Sequence, residues 1–209
     1  SMNNMPIGVF DSGVGGLTVV KEILKILPNE NLIYLGDTAR VPYGTRDAET
    51  IKKFAIELVS YLIKQDVKAI VVACNTMSAV AFSEIKKAAR KIPVIDVIEP
   101  TVSFAITQTH TSVLGLIGTR ATMHSRAYQA QIARHGSQYK TVSTACPLLV
   151  PIVEEGFSFD DSTEIIVKKY LSEINESKAD VLILGCTHYP MLKPVIEKVS
   201  RRRIKIIDS

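Results

Sequence analysis

Two cysteines stand in closely similar surroundings and could act as a pair. Cys74 follows the apolar residues 69–73, Cys186 follows residues 181–185, and each is followed by residues with hydrogen-bonding side chains. A thiol and a thiolate can serve as an acid and a base. Inverting a carbon stereocentre requires a base on one face and an acid on the other, and the two roles exchange when the reaction reverses. The pair therefore predicts a racemase that moves a proton at Cα.

The two cysteines belong to an internal repeat. Three segments of the first copy align with three of the second: 7–12 with 114–119, 69–76 with 181–188, and 94–96 with 206–208. The cysteine and the following aspartate, Asp96 or Asp208, are 22 residues apart in both copies. Cys146 has no counterpart, and we expect it to be structural. The repeat predicts two halves built to one plan.

Apolar strand-like runs alternate with segments of helical period along the whole chain. Strands are predicted at 7–10, 32–35, 69–73, 94–97, 113–117, 139–143, 181–184 and 204–207, and helices at 17–27, 48–64, 77–89, 121–133, 163–173 and 191–199. This alternation is typical of parallel sheets covered by helices. We predict two pseudo-symmetric three-layer α/β domains, residues 1–97 and 98–206, with the active site in the cleft between them.

Each cysteine falls where a predicted strand ends and a helix follows. Ligands of open α/β sheets bind at the carboxyl ends of the strands. The start of a helix offers free N–H groups and a positive dipole end, which favour a thiolate. We therefore expect both thiol pKa values to lie below the free value of about 8.5.

Other polar residues follow the predicted strands. Asp11 opens a glycine-rich turn, where it could bind an ammonium group, orient a thiol or cap the next helix. That turn does not fit the dinucleotide-binding pattern. The loop 41–45 could hold a carboxylate through its N–H groups. His188 could assist proton movement at Cys186, whereas Glu154 is either a functional carboxylate or a surface residue.

Composition excludes several classes of protein. The 209 residues are 46% hydrophobic and 22% charged, which favours a packed core. The scattered positive charges, net +4, argue against a nucleic-acid surface. We read Ser1 as a tag remnant, and the residues behind it predict no secretory signal. No apolar run suits a membrane span. We expect a cytoplasmic protein with reduced cysteines and no metal site, since metal-ligand spacings are absent.

Four stretches together resemble the glutamate racemases of the aspartate/glutamate racemase superfamily. They are residues 11–16 (DSGVGG), 41–44 (VPYG), 73–76 (ACNT) and 184–190 (LGCTHYP). They occur in that family's order and spacing, and the resemblance covers essentially the whole chain. It implies interconversion of L- and D-glutamate without pyridoxal phosphate or metal, a role in peptidoglycan synthesis, and a homodimer. It also implies that residues 207–209 begin a segment returning to the first domain.

The resemblance also implies roles for individual residues. Cys74 would deprotonate the D-enantiomer with support from Asp11. Cys186 would deprotonate the L-enantiomer with support from Glu154 and His188. The residues implied to bind substrate are Asp11, Ser12, Tyr43, Gly44, Asn75, Thr76, Thr119, Thr122, Thr187 and His188.

Three alternatives remain open at the level of sequence. The same two thiols would suit an aspartate racemase or a related isomerase. The scaffold could also serve as a non-catalytic binding or regulatory protein. A thiol peroxidase or redox sensor would require two cysteines whose Cα atoms come within about 7 Å.

Overall fold

The computed structural model describes residues 4–13 and 15–209. The glycine-rich turn at 11–16 is therefore described except for Val14, and the reading of Ser1 as a tag remnant lies outside the described residues. The chain divides into two compact units, one ending at Val97 and the other beginning at Ile98. Each unit is built around one parallel sheet.

The first unit carries a sheet with the strand order β2-β1-β3-β4. Its strands are β1 (Ile7–Asp11), β2 (Leu32–Gly36), β3 (Ala69–Val72) and β4 (Val94–Ile95). Its helices are α1 (Leu17–Ile26), α2 (Ala48–Lys64) and α3 (Asn75–Ala89), with a 3₁₀ turn at Thr38–Arg40. Because all pairings are parallel, the carboxyl ends of these strands share one edge of the sheet.

The second unit carries a sheet with the strand order β6-β5-β7-β8. Its strands are β5 (Val113–Gly118), β6 (Lys140–Ala145), β7 (Val181–Gly185) and β8 (Lys205–Asp208). Its helices are α4 (Ile98–Gln108), α5 (Arg120–Ser125), α6 (Ala127–Arg134), α7 (Leu149–Glu154), α8 (Asp161–Tyr170), α9 (Ser172–Glu176) and α10 (Lys193–Val199), with a 3₁₀ turn at Tyr189–Leu192. These pairings are also parallel.

The strand registers reproduce the internal repeat residue by residue. Phe10 pairs with Val72 as Ile117 pairs with Leu184, and Val71 pairs with Ile95 as Ile183 pairs with Ile207. These pairs are the ones that the sequence alignment makes equivalent. The predicted α/β class with parallel sheets in two like halves is confirmed.

The central strand β7 buries its side chains on both faces of its sheet. Every residue of β7 is buried, which fits a central strand covered by helices on either side. Burying one such Leu or Ile side chain contributes about 1.5–3 kcal/mol. α2 begins at the predicted residue because the Asp47 side chain accepts a hydrogen bond from the Thr50 amide at 2.9 Å.

The structure contains two helices that the sequence analysis did not predict. They are α4 and α7, and each carries a proline, Pro100 or Pro151. In both cases the proline occupies the first helical turn, where its missing N–H has no helical partner to lose. The predicted helix at 121–133 is instead two helices, because Arg126 takes a left-handed conformation with φ of 58°.

Candidate active site

Cys74 lies at the junction of β3 and α3, at the carboxyl edge of the first sheet. It is the N-cap residue of α3, and the Met77 amide donates to its Sγ at 3.5 Å. Its thiol donates to the Ser12 hydroxyl oxygen, also at 3.5 Å. Only 4% of Cys74 is exposed. The residue therefore occupies the predicted position and is held by groups from two neighbouring strand ends.

The pKa of Cys74 contradicts the expectation from the helix start. Burial, followed by the negative charge of Asp11, raises the pKa of this thiol to about 12. Hydrogen bonds that Met77 and Ser12 can donate to the thiolate lower the pKa, but they do not outweigh burial and the charge of Asp11. The prediction of a lowered pKa is wrong for Cys74, because the dipole argument ignored desolvation. At neutral pH this residue is therefore a protonated thiol.

Asp11 is fully buried beside Cys74 and is held by its own turn. Its carboxylate accepts hydrogen bonds from the Ser12 amide at 2.8 Å and from the Gly16 amide. Gly16, not Asp11 or Ser12, is the N-cap residue of α1. A Cβ added at Gly16 would lie 2.7 Å from the Asp11 Cβ. A glycine is therefore needed at this position for the turn to close around the carboxylate.

Cys186 follows β7 in the second unit and is supported by a different set of groups. Its Sγ lies 3.9 Å from Nδ1 of His188, and Nε2 of His188 lies 2.5 Å from Oε1 of Glu154. His188 is buried, whereas the Glu154 side chain is 43% exposed. The three groups form a chain along which a proton can pass between the thiol and a carboxylate in contact with water.

The two cysteines differ in the element that follows them. After Cys186 comes a 3₁₀ turn beginning at Tyr189, and α10 begins only at Lys193. The expectation that Cys186 sits at the start of a helix is therefore wrong. The equivalent of Asp11 in the repeat is Gly118, so the second unit has no carboxylate at that position. Each thiol thus has its own type of supporting group.

We predict that Glu154→Gln lowers kcat/KM for racemisation by about 10- to 100-fold, since a neutral amide cannot stabilise a protonated imidazole. The matched control is Glu155→Gln, the same change at the adjacent exposed residue. Initial rates with L-glutamate, the substrate that the sequence resemblance implies, provide the measurement for both variants. Equal rates for Glu154→Gln and Glu155→Gln would contradict a role for the carboxylate at His188.

Tyr43 lies in the loop between the Thr38–Arg40 turn and α2. It is 2% exposed, and its hydroxyl donates to the carboxylate of Asp37. Gly44 follows it and is partly exposed. Sequence analysis did not identify Asp37, although it follows β2 directly, just as Asp11 ends β1. That position at the carboxyl end of a strand was the signal that could have found it.

The remaining predicted substrate residues are buried at the ends of strands within their own units. They are Asn75 and Thr76 at the start of α3, Thr119 and Thr122 around the start of α5, and Thr187 beside Cys186. Thr119 is the N-cap residue of α5 and its hydroxyl lies 3.1 Å from that of Thr122. Four of these five residues therefore lie at the starts of helices, where backbone N–H groups are also available to bind a ligand.

Cys146 belongs to the same apolar core as Cys186 and Tyr189, and its carbonyl accepts a hydrogen bond from the Tyr189 hydroxyl. Cys146 is buried, its thiol donates to the Thr144 carbonyl at 3.5 Å, and burial raises its pKa to about 12. His110, His124 and His135 are exposed. Within residues 4–13 and 15–209, no three His, Cys, Asp or Glu side chains cluster as a metal site would require. No helix among the described residues combines the length and apolar character needed to cross a bilayer.

Two like α/β units, each with a cysteine at the carboxyl edge of a parallel sheet, define the class of two-domain amino-acid racemases. The chain belongs to the Asp/Glu/hydantoin racemase family, whose model matches residues 7–209.

Individual relatives agree with this membership. A glutamate racemase from Geobacter metallireducens is 47% identical over 203 residues, which are 97% of this chain and 75% of the relative. The structure of a glutamate racemase from Francisella tularensis in complex with D-glutamate matches with a TM-score of 0.93 and 47% identity, covering 99% of this chain and 76% of that one. A glutamate racemase isoform from Bacillus anthracis matches with a TM-score of 0.94 and 40% identity, with coverage of 99% and 77%.

Proposed function

We propose that the protein interconverts L- and D-glutamate by moving the α-proton between Cys74 and Cys186. The observation that carries this proposal is the pair of buried thiols at equivalent positions of two repeated sheets, each with its own acid–base support. The identity of 47% to a glutamate racemase supports the choice of substrate. The proposal requires the two sulfur atoms to reach the α-carbon of glutamate from opposite faces.

The reaction from L-glutamate begins at Cys186. Its thiolate takes the α-proton, and the electron pair of the broken C–H bond moves into the substrate's α-carboxylate. The Cys74 thiol then delivers its proton to the opposite face, and the electron pair returns to Cα to form the new C–H bond. The products are D-glutamate, a neutral Cys186 and a Cys74 thiolate, so a proton must be exchanged before the next turnover.

The raised pKa of Cys74 fits its role as donor in this direction. For the reverse direction it must ionise, and the substrate can help because its α-ammonium group carries a positive charge. An ammonium beside Asp11 offsets the carboxylate charge that, after burial, holds the thiol protonated. Binding of the substrate therefore lowers the cost of forming the Cys74 thiolate. At Cys186, His188 and Glu154 accept or return the proton.

The remaining polar groups bind the two carboxylates of glutamate. Ser12, Asn75, Thr76 and Gly44 serve from the first unit, and Thr119, Thr122 and Thr187 from the second. Hydroxyls, amides and backbone N–H groups at helix starts are suited to carboxylate oxygens. The protein acts as a cytoplasmic homodimer whose product, D-glutamate, supplies peptidoglycan synthesis.

The proposed function is tested by turnover of all four enantiomers of glutamate and aspartate. We expect either enantiomer of glutamate to proceed to a racemic mixture, and aspartate to turn over at least about 100-fold less efficiently, because one missing methylene misplaces a carboxylate. Chiral chromatography of the products measures this. Efficient conversion of aspartate alone would assign the protein to aspartate racemisation, and inactivity on both amino acids would refute the proposal.

A further inference from the structure

Asp37 connects the strand edge that carries Asp11 to the loop that carries Tyr43. It follows β2, and its amide donates to the carbonyl oxygen of Asp11 at 3.0 Å. The pairing of β1 with β2 therefore continues one residue beyond Gly36. The Asp37 side chain is 9% exposed, so its carboxylate lies mostly inside the first unit.

The carboxylate of Asp37 is shared by two donors. It accepts hydrogen bonds from the Tyr43 hydroxyl and, at 2.5 Å, from Nε of Arg40. Arg40 is held in turn by Glu57 of α2, with Nη1 2.5 Å from Oε2, and by the ring of Phe54, whose centroid is 3.9 Å from the guanidinium carbon. The positive charge of Arg40 compensates for burying the carboxylate.

Tyr43 is fixed by this arrangement. Burial, followed by the hydrogen bond to Asp37, raises the pKa of Tyr43 well above its usual value, so the hydroxyl remains a donor at any physiological pH. Its ring packs against Phe54 with centroids 5.6 Å apart. The hydroxyl thus serves to hold the loop 41–45 in the conformation that this contact sets.

We propose that Asp37 is a positioning residue for glutamate, acting through Tyr43 on the loop that receives a substrate carboxylate. This inference rests on the proposed function. In this role Asp37 takes no part in proton transfer. It contributes to substrate binding, through Tyr43. A hydrogen bond to a charged group is worth about 1.5–3 kcal/mol, which corresponds to roughly a 10- to 100-fold change in binding.

The test compares Asp37→Asn, Tyr43→Phe and the double variant. We expect each single change to raise KM for both glutamate enantiomers about tenfold, with kcat within about threefold, the pattern of lost substrate binding. Because Asp37→Asn weakens and Tyr43→Phe removes the same charge-assisted contact, the double variant should resemble Tyr43→Phe instead of multiplying the two effects. Initial rates over a range of substrate concentrations provide kcat and KM separately.

The matched control is Asp47→Asn, the same chemical change ten residues further on. Asp47 caps α2, and asparagine caps helices as well as aspartate does, so KM should not change. Unaltered KM in both single variants, or effects that multiply, would overturn the inference while leaving the proposed function intact. Inactive wild-type protein would overturn both. If Asp37→Asn does not fold, Tyr43→Phe decides the question, because it removes only one hydroxyl.

Discussion

Replacing Cys74 by serine should reduce glutamate racemisation by about 10²–10⁴-fold, the usual contribution of a positioned acid or base. Serine keeps the shape and the hydrogen bonds to Met77 and Ser12. An alcohol is a far weaker acid than a thiol, so it can neither deliver the proton to one face of Cα nor remove it. Stability should change little. Initial rates by chiral chromatography, with a thermal melt alongside, provide the measurement.

The control for this substitution is Cys146→Ser. Cys146 is as deeply buried as Cys74, and a serine hydroxyl can still donate to the Thr144 carbonyl. We expect this variant to keep its activity even if its melting temperature falls. Near-normal turnover by Cys74→Ser, or an equal loss in Cys146→Ser, would mean that Cys74 is a core residue without a role in proton transfer.

Replacing Cys186 by serine should cause a loss of similar size, for a partly different reason. The hydroxyl would remain near His188, but His188 and Glu154 cannot make an alcohol acidic enough to replace the thiol at neutral pH. L- and D-glutamate have equal free energies in water, so kcat/KM must fall equally in both directions for either variant. Rates of racemisation therefore cannot reveal which face each thiol serves.

Isotope exchange without inversion distinguishes the two cysteines. In deuterium oxide, Cys74→Ser should still exchange the α-proton of L-glutamate through Cys186, and the half-exposed Glu154 offers a path to solvent through His188. Cys186→Ser should exchange only D-glutamate, through Cys74. Nuclear magnetic resonance of recovered substrate provides the measurement. Exchange of the same enantiomer in both variants would show that the thiols do not serve opposite faces.

The fold was predictable from the sequence because two features of the sequence were clear: the apolar strand-like runs and the internal repeat. Apolar runs such as residues 181–185 must be buried on both faces, and the repeat aligned the strands in the register that the structure shows. The helices α4 and α7, which carry Pro100 and Pro151 in their first turns, were not predicted. The pattern of residues around a proline does not show whether the proline lies in the first turn of a helix, where it is tolerated, or outside a helix.

The site was predictable in position but not in electrostatics. The positions of Cys74 and Asp11 follow from strand ends, which a sequence reveals. The raised pKa of Cys74 depends on how completely the folded chain removes water from the thiol, and on a carboxylate 63 residues away in sequence. The contact of Tyr43 with Asp37 depends on a turn conformation that no residue pattern specifies.

The two thiols also show how a repeat can diverge in chemistry while keeping its geometry. Cys74 is accompanied by a carboxylate that lies at the end of β1, whereas the equivalent residue in the second unit, Gly118, carries no side chain. Cys186 instead has His188, from the turn after β7, and Glu154, from the end of α7. The two units thus place different groups beside their cysteines: a buried carboxylate in the first, and a histidine in contact with a glutamate in the second.

The most direct test of two opposed thiols is a single experiment in deuterium oxide with the unmodified protein and protiated L-glutamate. Early in the reaction, every molecule of D-glutamate should carry deuterium at Cα, because Cys74 delivers a solvent-derived deuteron, while the unreacted L-glutamate keeps its protium. D-glutamate that retains the substrate's own proton would show one group carrying it across both faces, and would contradict the assignment of Cys74 and Cys186 as partners.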